Sequence, residues 1–278
     1  MEDTTINGPL LLVGCGNMGR AMLRGWLDAG FIPSEAVHVV EPADAFREQA
    51  RALGVNTHAS PQTLPPGFKA RITVLAVKPQ VMAAVLPAYR PYVADGVAVS
   101  IAAGIPLAVL AAGLGEVAIL RAMPNTPAAI GKGAIVFCPN EQADDAQIAS
   151  VTRLLSANGA VHRVDSEAAI DAATAISGSG PAYLFHFIEC LADAGMELGL
   201  PAHLALALAK ETAEGASALA MAADTPPSDL RRHVTSPGGT TQAALNILMG
   251  EEALQALLRK ATAAAYRRAI ELAGNTST

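Results

Sequence analysis

One stretch near the N-terminus constrains the fold more than any other: Pro9-Leu10-Leu11-Leu12-Val13-Gly14-Cys15-Gly16-Asn17-Met18-Gly19. A short apolar run feeds directly into G-x-G-x-x-G, and Met18, Met22, Leu23 and Trp26 then recur at helical spacing. A buried strand, a glycine turn and a helix in immediate succession are how a dinucleotide-binding βαβ unit begins. In such a unit Gly14 permits the tight turn, Gly16 lets the backbone approach a pyrophosphate, and Gly19 lets the helix pack on the sheet. The first N–H groups of the helix, with its partial positive charge, then face the phosphates. The unit also calls for an acid about 20 residues further on, for the ribose 2′-hydroxyl. Glu41 ends the second strand-like run, 22 residues beyond Gly19. It also suits a solvated turn before Pro42. A carboxylate there repels a 2′-phosphate and so leans towards NADH, while Arg47, one turn into the next helix, remains within reach of a phosphate.

The pattern set by this unit continues. Strands are expected at residues 9–13, 36–40, 71–77, 97–101, 118–122 and 134–138, and helices at 18–29, 43–53, 80–86 and 144–156. Such alternation predicts a parallel sheet covered on both faces. Composition agrees, since 51% of the 278 residues are hydrophobic and only 16% charged, against about 25% charged in an ordinary soluble domain. Residues 96–115 carry no charge over twenty positions, long enough to span a bilayer. Pro106 and four glycines interrupt the run, and a buried strand followed by a short helix with Pro106 at its start accounts for it better.

Beyond residue 165 no strand is expected. Ala/Leu/Glu-rich segments at 167–176, 181–198, 201–221, 241–249 and 251–272 read as helices separated by Gly and Pro. The fold expected is therefore α/β then all-α: a Rossmann-type doubly wound parallel sheet over residues 1–164, and an all-helical domain over residues 165–278, ending in a frayed tail at 275–278. Around residues 204–208, 213–223 and 261–265 Ala and Leu occupy more than one helix face. Helices of that kind need more than one partner.

Several function classes are excluded. Net charge is −6 and no Lys/Arg block exists, so a nucleic-acid partner is not expected. Cys15, Cys138 and Cys190 are too few and too scattered for a disulfide framework or a C-x-x-C site; they point to a reducing compartment, the cytoplasm. Residues 1–10 contain two acids and no apolar core of a secretory signal. The six histidines show no H-x-x-x-H or H-E-x-x-H spacing, so no metal site is expected.

Ligands of a doubly wound sheet sit at the C-terminal ends of the strands. Three such ends carry unusual residues: Ala76-Val77-Lys78-Pro79, Ser100-Ile101-Ala102-Ala103-Gly104, and Arg121-Ala122-Met123-Pro124-Asn125-Thr126-Pro127. Lys78 also suits a snorkelling surface lysine, and Asn125 a turn. In the helical part, Ser177-Gly178-Ser179-Gly180-Pro181 suits a helix start with Ser179 as cap and Pro181 at the first position. A second turn, Thr235-Ser236-Pro237-Gly238-Gly239-Thr240-Thr241, gathers backbone N–H groups and hydroxyls before a helix. It suits either a nest for a small carboxylate or an ordinary N-cap. Asp224 lies in the loop upstream.

Taken together, GCGNMG, AVKP, SIAAG, RAMPNTPA, SGSGPAY and SPGGTT followed by AALNIL resemble, in order and spacing, the motifs of the pyrroline-5-carboxylate reductase family over nearly the whole chain. The resemblance implies reduction of 1-pyrroline-5-carboxylate to L-proline with NADPH or NADH, in an intertwined homodimer often assembled further as a pentamer of dimers. It implies that Ser236, Gly238, Gly239 and Thr241 hold the substrate carboxylate, with Thr241 also bonded to the ring nitrogen. Asp224 falls where the family tends to have an acid, commonly Glu, near the substrate amine. Gly14, Cys15, Gly16, Asn17, Met18, Gly19, Glu41, Ala76, Val77, Lys78 and Pro79 would hold the cofactor, with Ser60 near the adenine ribose and Met123 and Asn125 beside the substrate. An iminium is already electrophilic, which agrees with the lack of an obvious His/Asp acid pair. A related imine reductase would share this plan. A β-hydroxyacid reductase would want a helical lysine beside a glycine turn, where Lys210 and Lys260 do not lie. A non-catalytic dinucleotide sensor could dispense with SPGGTT.

Overall fold

A computed structural model describes Ile6, residues 8–93 and residues 95–274. The tail expected at 275–278 and most of the acidic leader lie outside the described residues. The chain divides into two compact units, Met1–Ser179 with Ala265–Thr278, and Gly180–Ala264.

The first unit is built on an eight-stranded sheet. In chain order its elements are β1 (Leu10–Val13), α1 (Asn17–Asp28), β2 (Val37–Val40), α2 (Asp44–Arg51), β3 (Asn56–His58), β4 (Ile72–Leu75), α3 (Pro79–Val93), β5 (Val97–Ser100), α4 (Leu107–Leu114), β6 (Ala118–Met123), β7 (Gly133–Pro139), α5 (Asp145–Ser156), β8 (Gly159–Arg163) and α6 (Glu167–Ala173). Strand order is β3-β2-β1-β4-β5-β6-β7-β8. The order reverses after β1, so the β1 and β4 ends form the crevice where such sheets bind ligands.

Alternation along each strand feeds two cores. Leu10 and Leu12 join Trp26 of α1 and Leu154 of α5 on one face. Leu11 and Val13 join Leu86 of α3 and Leu110 of α4 on the other. With both faces covered, most strand positions are apolar, which accounts for part of the apolar excess.

Three local features depart from the sequence reading. First, β7 runs antiparallel to β6. Residues 124–132 that join them form only a short 3₁₀ turn over Thr126–Ile130, too little chain for the crossover that a parallel pair requires. Second, α3 runs past residue 86 through Pro87 and Pro91. Both prolines are exposed, whereas Met82, Leu86, Tyr89 and Val93 are buried, and that burial outweighs the lost backbone bonds. Third, β3 and β8 have too few apolar positions to stand out as strands; they form because β2 and β7 offer open edges.

The second unit contains α7 (Gly180–Glu197), α8 (Ala202–Ala222), α9 (Pro227–His233), α10 (Thr240–Met249) and the first half of α11 (Ala253–Gly274). α9 is an addition to the expected helices: Pro226-Pro227 opens it rather than merely breaking the chain. The buried hydrophobics of this unit are Ala192, Ala205, Ala209 and Ala213, so small residues form its inner seam. Its large apolar side chains face outward, with Leu198 87% and Met221 86% exposed. Among the described residues no helix is long and apolar enough to cross a membrane.

Candidate active site

The glycine turn has the geometry its spacing requires. Gly14 sits at φ +87°, and a Cβ there would stand 2.9 Å from the Ala76 carbonyl oxygen. A Cβ on Gly19 would stand 2.6 Å from the Gly14 oxygen, so α1 presses on the turn without room for a methyl group. A Cβ on Gly16 would meet nothing within 4 Å, which leaves open space above the backbone. Gly16 is also the N-cap of α1, with no side-chain cap and no acid in the first turn. An uncapped, unopposed helix N-terminus beside open space is what a pyrophosphate needs, so these residues fit a dinucleotide. Ala76 and Val77 pack at the same edge, with Val77 within 3.1 Å of the Gly14 Cβ position, and Pro79 opens α3. Lys78 is exposed just before α3.

Glu41 is buried, and it is a latch. Its Oε2 accepts the Cys15 N–H at 2.7 Å and its Oε1 accepts the Ala43 N–H at 2.9 Å. The carboxylate thereby ties the glycine turn to the start of α2. Two of about four lone-pair positions are used. Arg47 donates to the carbonyls of Glu41 at 2.8 Å and Pro42 at 3.0 Å and pairs with Asp44. Arg20 bonds Gln49, and Arg51 pairs with Glu48. Ser60 follows β3 at the same edge and stands before the 3₁₀ turn Pro61–Thr63 without a side-chain cap bond. Burial, reinforced by the Glu41 charge and opposed by Arg20, pushes the Cys15 thiol up to about 11. Cys15 therefore stays neutral and contributes through its backbone.

At the end of β6 the side chains turn inward. Asn125 is buried; its Nδ2 donates to the Ser177 carbonyl at 2.9 Å and its Oδ1 accepts the Ala134 N–H at 2.9 Å. Met123 reaches Gly178, where an added Cβ would lie 3.0 Å from Cε. Arg121, 3% exposed, donates to Glu167 at 2.9 Å and to Asp171 at 2.5 Å, one helical turn apart on α6. Glu167 also accepts the Leu107 N–H at 2.9 Å. This ion-paired cluster carried no assigned role in the sequence. Its signal was a lone cation within an apolar strand, with two acids at i, i+4 spacing downstream.

The segment expected to open a helix at Ser179 does something else. Residues Thr174–Gly178 form a π-helical turn that continues α6, closed by Ser179 N–H to Thr174 O at 2.9 Å. Ser179 remains helical at φ −87°, ψ −22°, so it is not an N-cap. Continuous helical backbone replaces the break suggested by the glycines and Pro181.

In the second unit Ser236, Gly238, Gly239 and Thr241 come together in one turn. Gly239 N–H closes it on Ser236 O at 3.0 Å, with Gly238 at φ +70° behind Pro237, a Pro-Gly pairing that favours such turns. Gly239 is the N-cap of α10, again with no side-chain cap and no acid in the first turn. The turn and Thr241 are thus free to meet a carboxylate with backbone N–H and hydroxyl groups. Arg231, Arg232, Thr235, Gln242 and Asn246 line a cleft of about 510 Å³ beside it. Asp224 is exposed, just past the end of α8.

Comparison with known proteins agrees along the chain. A family model described as pyrroline-5-carboxylate reductase dimerisation matches residues 167–272, and one described as coenzyme F420-dependent NADP oxidoreductase matches residues 10–104. The chain is 39% identical to the pyrroline-5-carboxylate reductase of Pseudomonas aeruginosa over 272 residues, covering 95% of this chain and 96% of that one. Among solved structures it resembles a pyrroline-5-carboxylate reductase from Coxiella burnetii, with TM-score 0.90 and 32% identity over 96% of this chain and 99% of that one. It also resembles the Plasmodium falciparum pyrroline carboxylate reductase with NADP bound, with TM-score 0.83 and 30% identity over 96% and 98%.

Proposed function

The chain belongs to the pyrroline-5-carboxylate reductase family, and from that premise we propose how its residues reduce 1-pyrroline-5-carboxylate to L-proline. It is an NAD(P)H-dependent oxidoreductase of proline biosynthesis. When bound, NAD(P)H supplies the hydride that the imine carbon accepts. Gly14, Cys15, Gly16, Asn17, Met18 and Gly19 hold its pyrophosphate; Glu41 and Ser60 hold the adenine ribose; Ala76, Val77, Lys78 and Pro79 line the edge beside them. The observation that carries this reading is the open floor at Gly16 beneath an uncapped α1, with the Glu41 carboxylate fastened alongside.

Substrate binding falls to the second unit. The N–H groups of Gly238 and Gly239 and the hydroxyls of Ser236 and Thr241 receive the carboxylate, and Thr241 also hydrogen-bonds the ring nitrogen. Asp224 acts near the substrate amine. No strong general acid is needed, because the protonated imine is already electrophilic. Met123 and Asn125 form the substrate side of the sheet edge.

The dinucleotide-binding domain spans residues 1–164 and the dimerisation and substrate domain residues 165–278. The protein works as a homodimer, assembled further as a pentamer of dimers, in the cytoplasm. The outward apolar side chains of the second unit support the dimer, since exposed apolar patches of this kind mark interaction surfaces. Nicotinamide absorbance followed with 1-pyrroline-5-carboxylate, 3-hydroxyisobutyrate and an unrelated cyclic imine tests the activity. Turnover is expected with the first. Preference for the hydroxyacid, or cofactor binding with no turnover on any imine, would replace the reading.

A further inference from the structure

Three side-chain bonds strap the segment from α6 to its π-helical turn onto the end of β6. Arg121 holds Glu167 and Asp171, and Asn125 holds the Ser177 carbonyl six residues beyond Asp171. The last bond has a local cause. In an α-helix Ser177 O would accept the N–H of residue 181, but that residue is proline and has none. The π turn shifts the backbone pattern to Ser179 N–H on Thr174 O, and the amide of Asn125 takes the carbonyl that Pro181 cannot. Both ends of Asn125 are therefore committed to protein. Met123 lies with Cε over Gly178, where no larger residue fits without moving it. The segments MPNTPA and SGSGPA, 52 residues apart from Asn125 to Ser177, are two halves of one contact.

We propose that Asn125 is a positioning residue for the reduction: through Ser177 O it fixes the π turn and Met123 at the ligand edge of the sheet. The inference rests on the activity given above. π turns inside helices recur at functional sites, and a displacement of about 1 Å in such a site costs on the order of 10²-fold in rate. An apolar residue would leave the Ala134 N–H and the Ser177 carbonyl without their partner, and an unpaired buried polar group is costly, so the amide contributes to stability as well as to geometry and the test must separate the two.

Asn125→Asp separates the two bonds. Asp keeps an acceptor for Ala134 N–H, which preserves β7, but it has no donor for Ser177 O. We expect kcat to fall about 10- to 100-fold, with KM for NADH and for 1-pyrroline-5-carboxylate within about threefold of wild type and a larger primary deuterium isotope effect on kcat. Hydrogen exchange of the cofactor-free protein should quicken in peptides covering residues 174–179 and stay unchanged in β1 and α1. Gly178→Ala keeps every hydrogen bond and displaces Met123; it should reproduce the kcat loss without the faster exchange. Wild-type kcat in Asn125→Asp would overturn the proposal, as would exchange rising equally across the whole sheet. If the wild-type enzyme fails to reduce the imine, the activity reading falls, and the exchange pattern still reports on the clamp by itself.

Discussion

Replacing Glu41 by Ser should change both cofactor choice and stability, by amounts that follow from its bonds. The carboxylate spends two acceptor positions on Cys15 and Ala43 N–H groups at 2.7 and 2.9 Å, and about two remain for the ribose hydroxyls that the proposed function assigns to it. A hydrogen bond to a charged acceptor contributes about 1.5–3 kcal/mol, so loss of one ribose bond raises KM for NADH about tenfold. Relief of repulsion against a 2′-phosphate gains a similar factor, since two unit charges about 5 Å apart interact by about 1–3 kcal/mol across the range from solvent to protein surface. The ratio of kcat/KM for NADPH to that for NADH should therefore rise about 100-fold. The same change leaves the Cys15 N–H without its acceptor at a fully buried residue, which costs about 1–3 kcal/mol and lowers Tm by about 5 °C in a protein of this size. Glu41→Gln removes the charge but keeps one acceptor, so it should fall between. Steady-state kinetics with both cofactors and thermal unfolding measure the two effects. A folded Ser variant with the expected drop in Tm and a cofactor ratio within threefold of wild type would remove Glu41 from the ribose pocket.

Other outcomes are equally open to measurement. Thr241→Ala should lower turnover by about one to two orders of magnitude, the size of losing one positioned donor, while NAD(P)H binding measured by fluorescence persists; unchanged kinetics would reject its role. Arg121→Met strands two carboxylates that are mostly buried and should cost about 3 kcal/mol in urea unfolding; a change below about 1 kcal/mol would mean the cluster is solvated. Burial holds Cys15 neutral up to about 11 and, with the Glu41 and Tyr92 charges, Tyr89 up to about 12. Their folded-state values lie above their unfolded ones, so stability is complete below pH about 9 and is lost as pH rises towards 11 and beyond, by roughly 2–3 kcal/mol for Cys15. Tm recorded against pH should show this fall, and Cys15→Ala should remove its first part. Sedimentation at micromolar concentration should show no folded monomer.

The sequence by itself determined the features carried by short-range periodicity and turn chemistry. Short apolar runs marked β1, β2, β4, β5, β6 and β7. The three glycines after β1 announced a turn whose crowding at Gly14 and Gly19 and openness at Gly16 match their spacing. Pro237-Gly238-Gly239 announced the start of α10, which the structure shows to lack a side-chain cap. Only tertiary structure decided the rest, because the deciding partners are far apart along the chain. Glu41 suits a ribose acid or a turn acid in the sequence, and only the fold brings the N–H of Cys15, 26 residues earlier, to its carboxylate. Asn125 reads as a turn residue until Ser177 offers a carbonyl that the helix cannot use. Glycines and a proline around Ser179 signal a break, yet the backbone stays helical as a π turn, with Asn125 bonded to Ser177 and Met123 over Gly178. Pro87 and Pro91 signal a helix end, yet core burial on the opposite face of α3 carries it through to Val93. Periodicity reports which face of an element is apolar; the fold decides which buried donor meets which acceptor, and here those pairings shape the site.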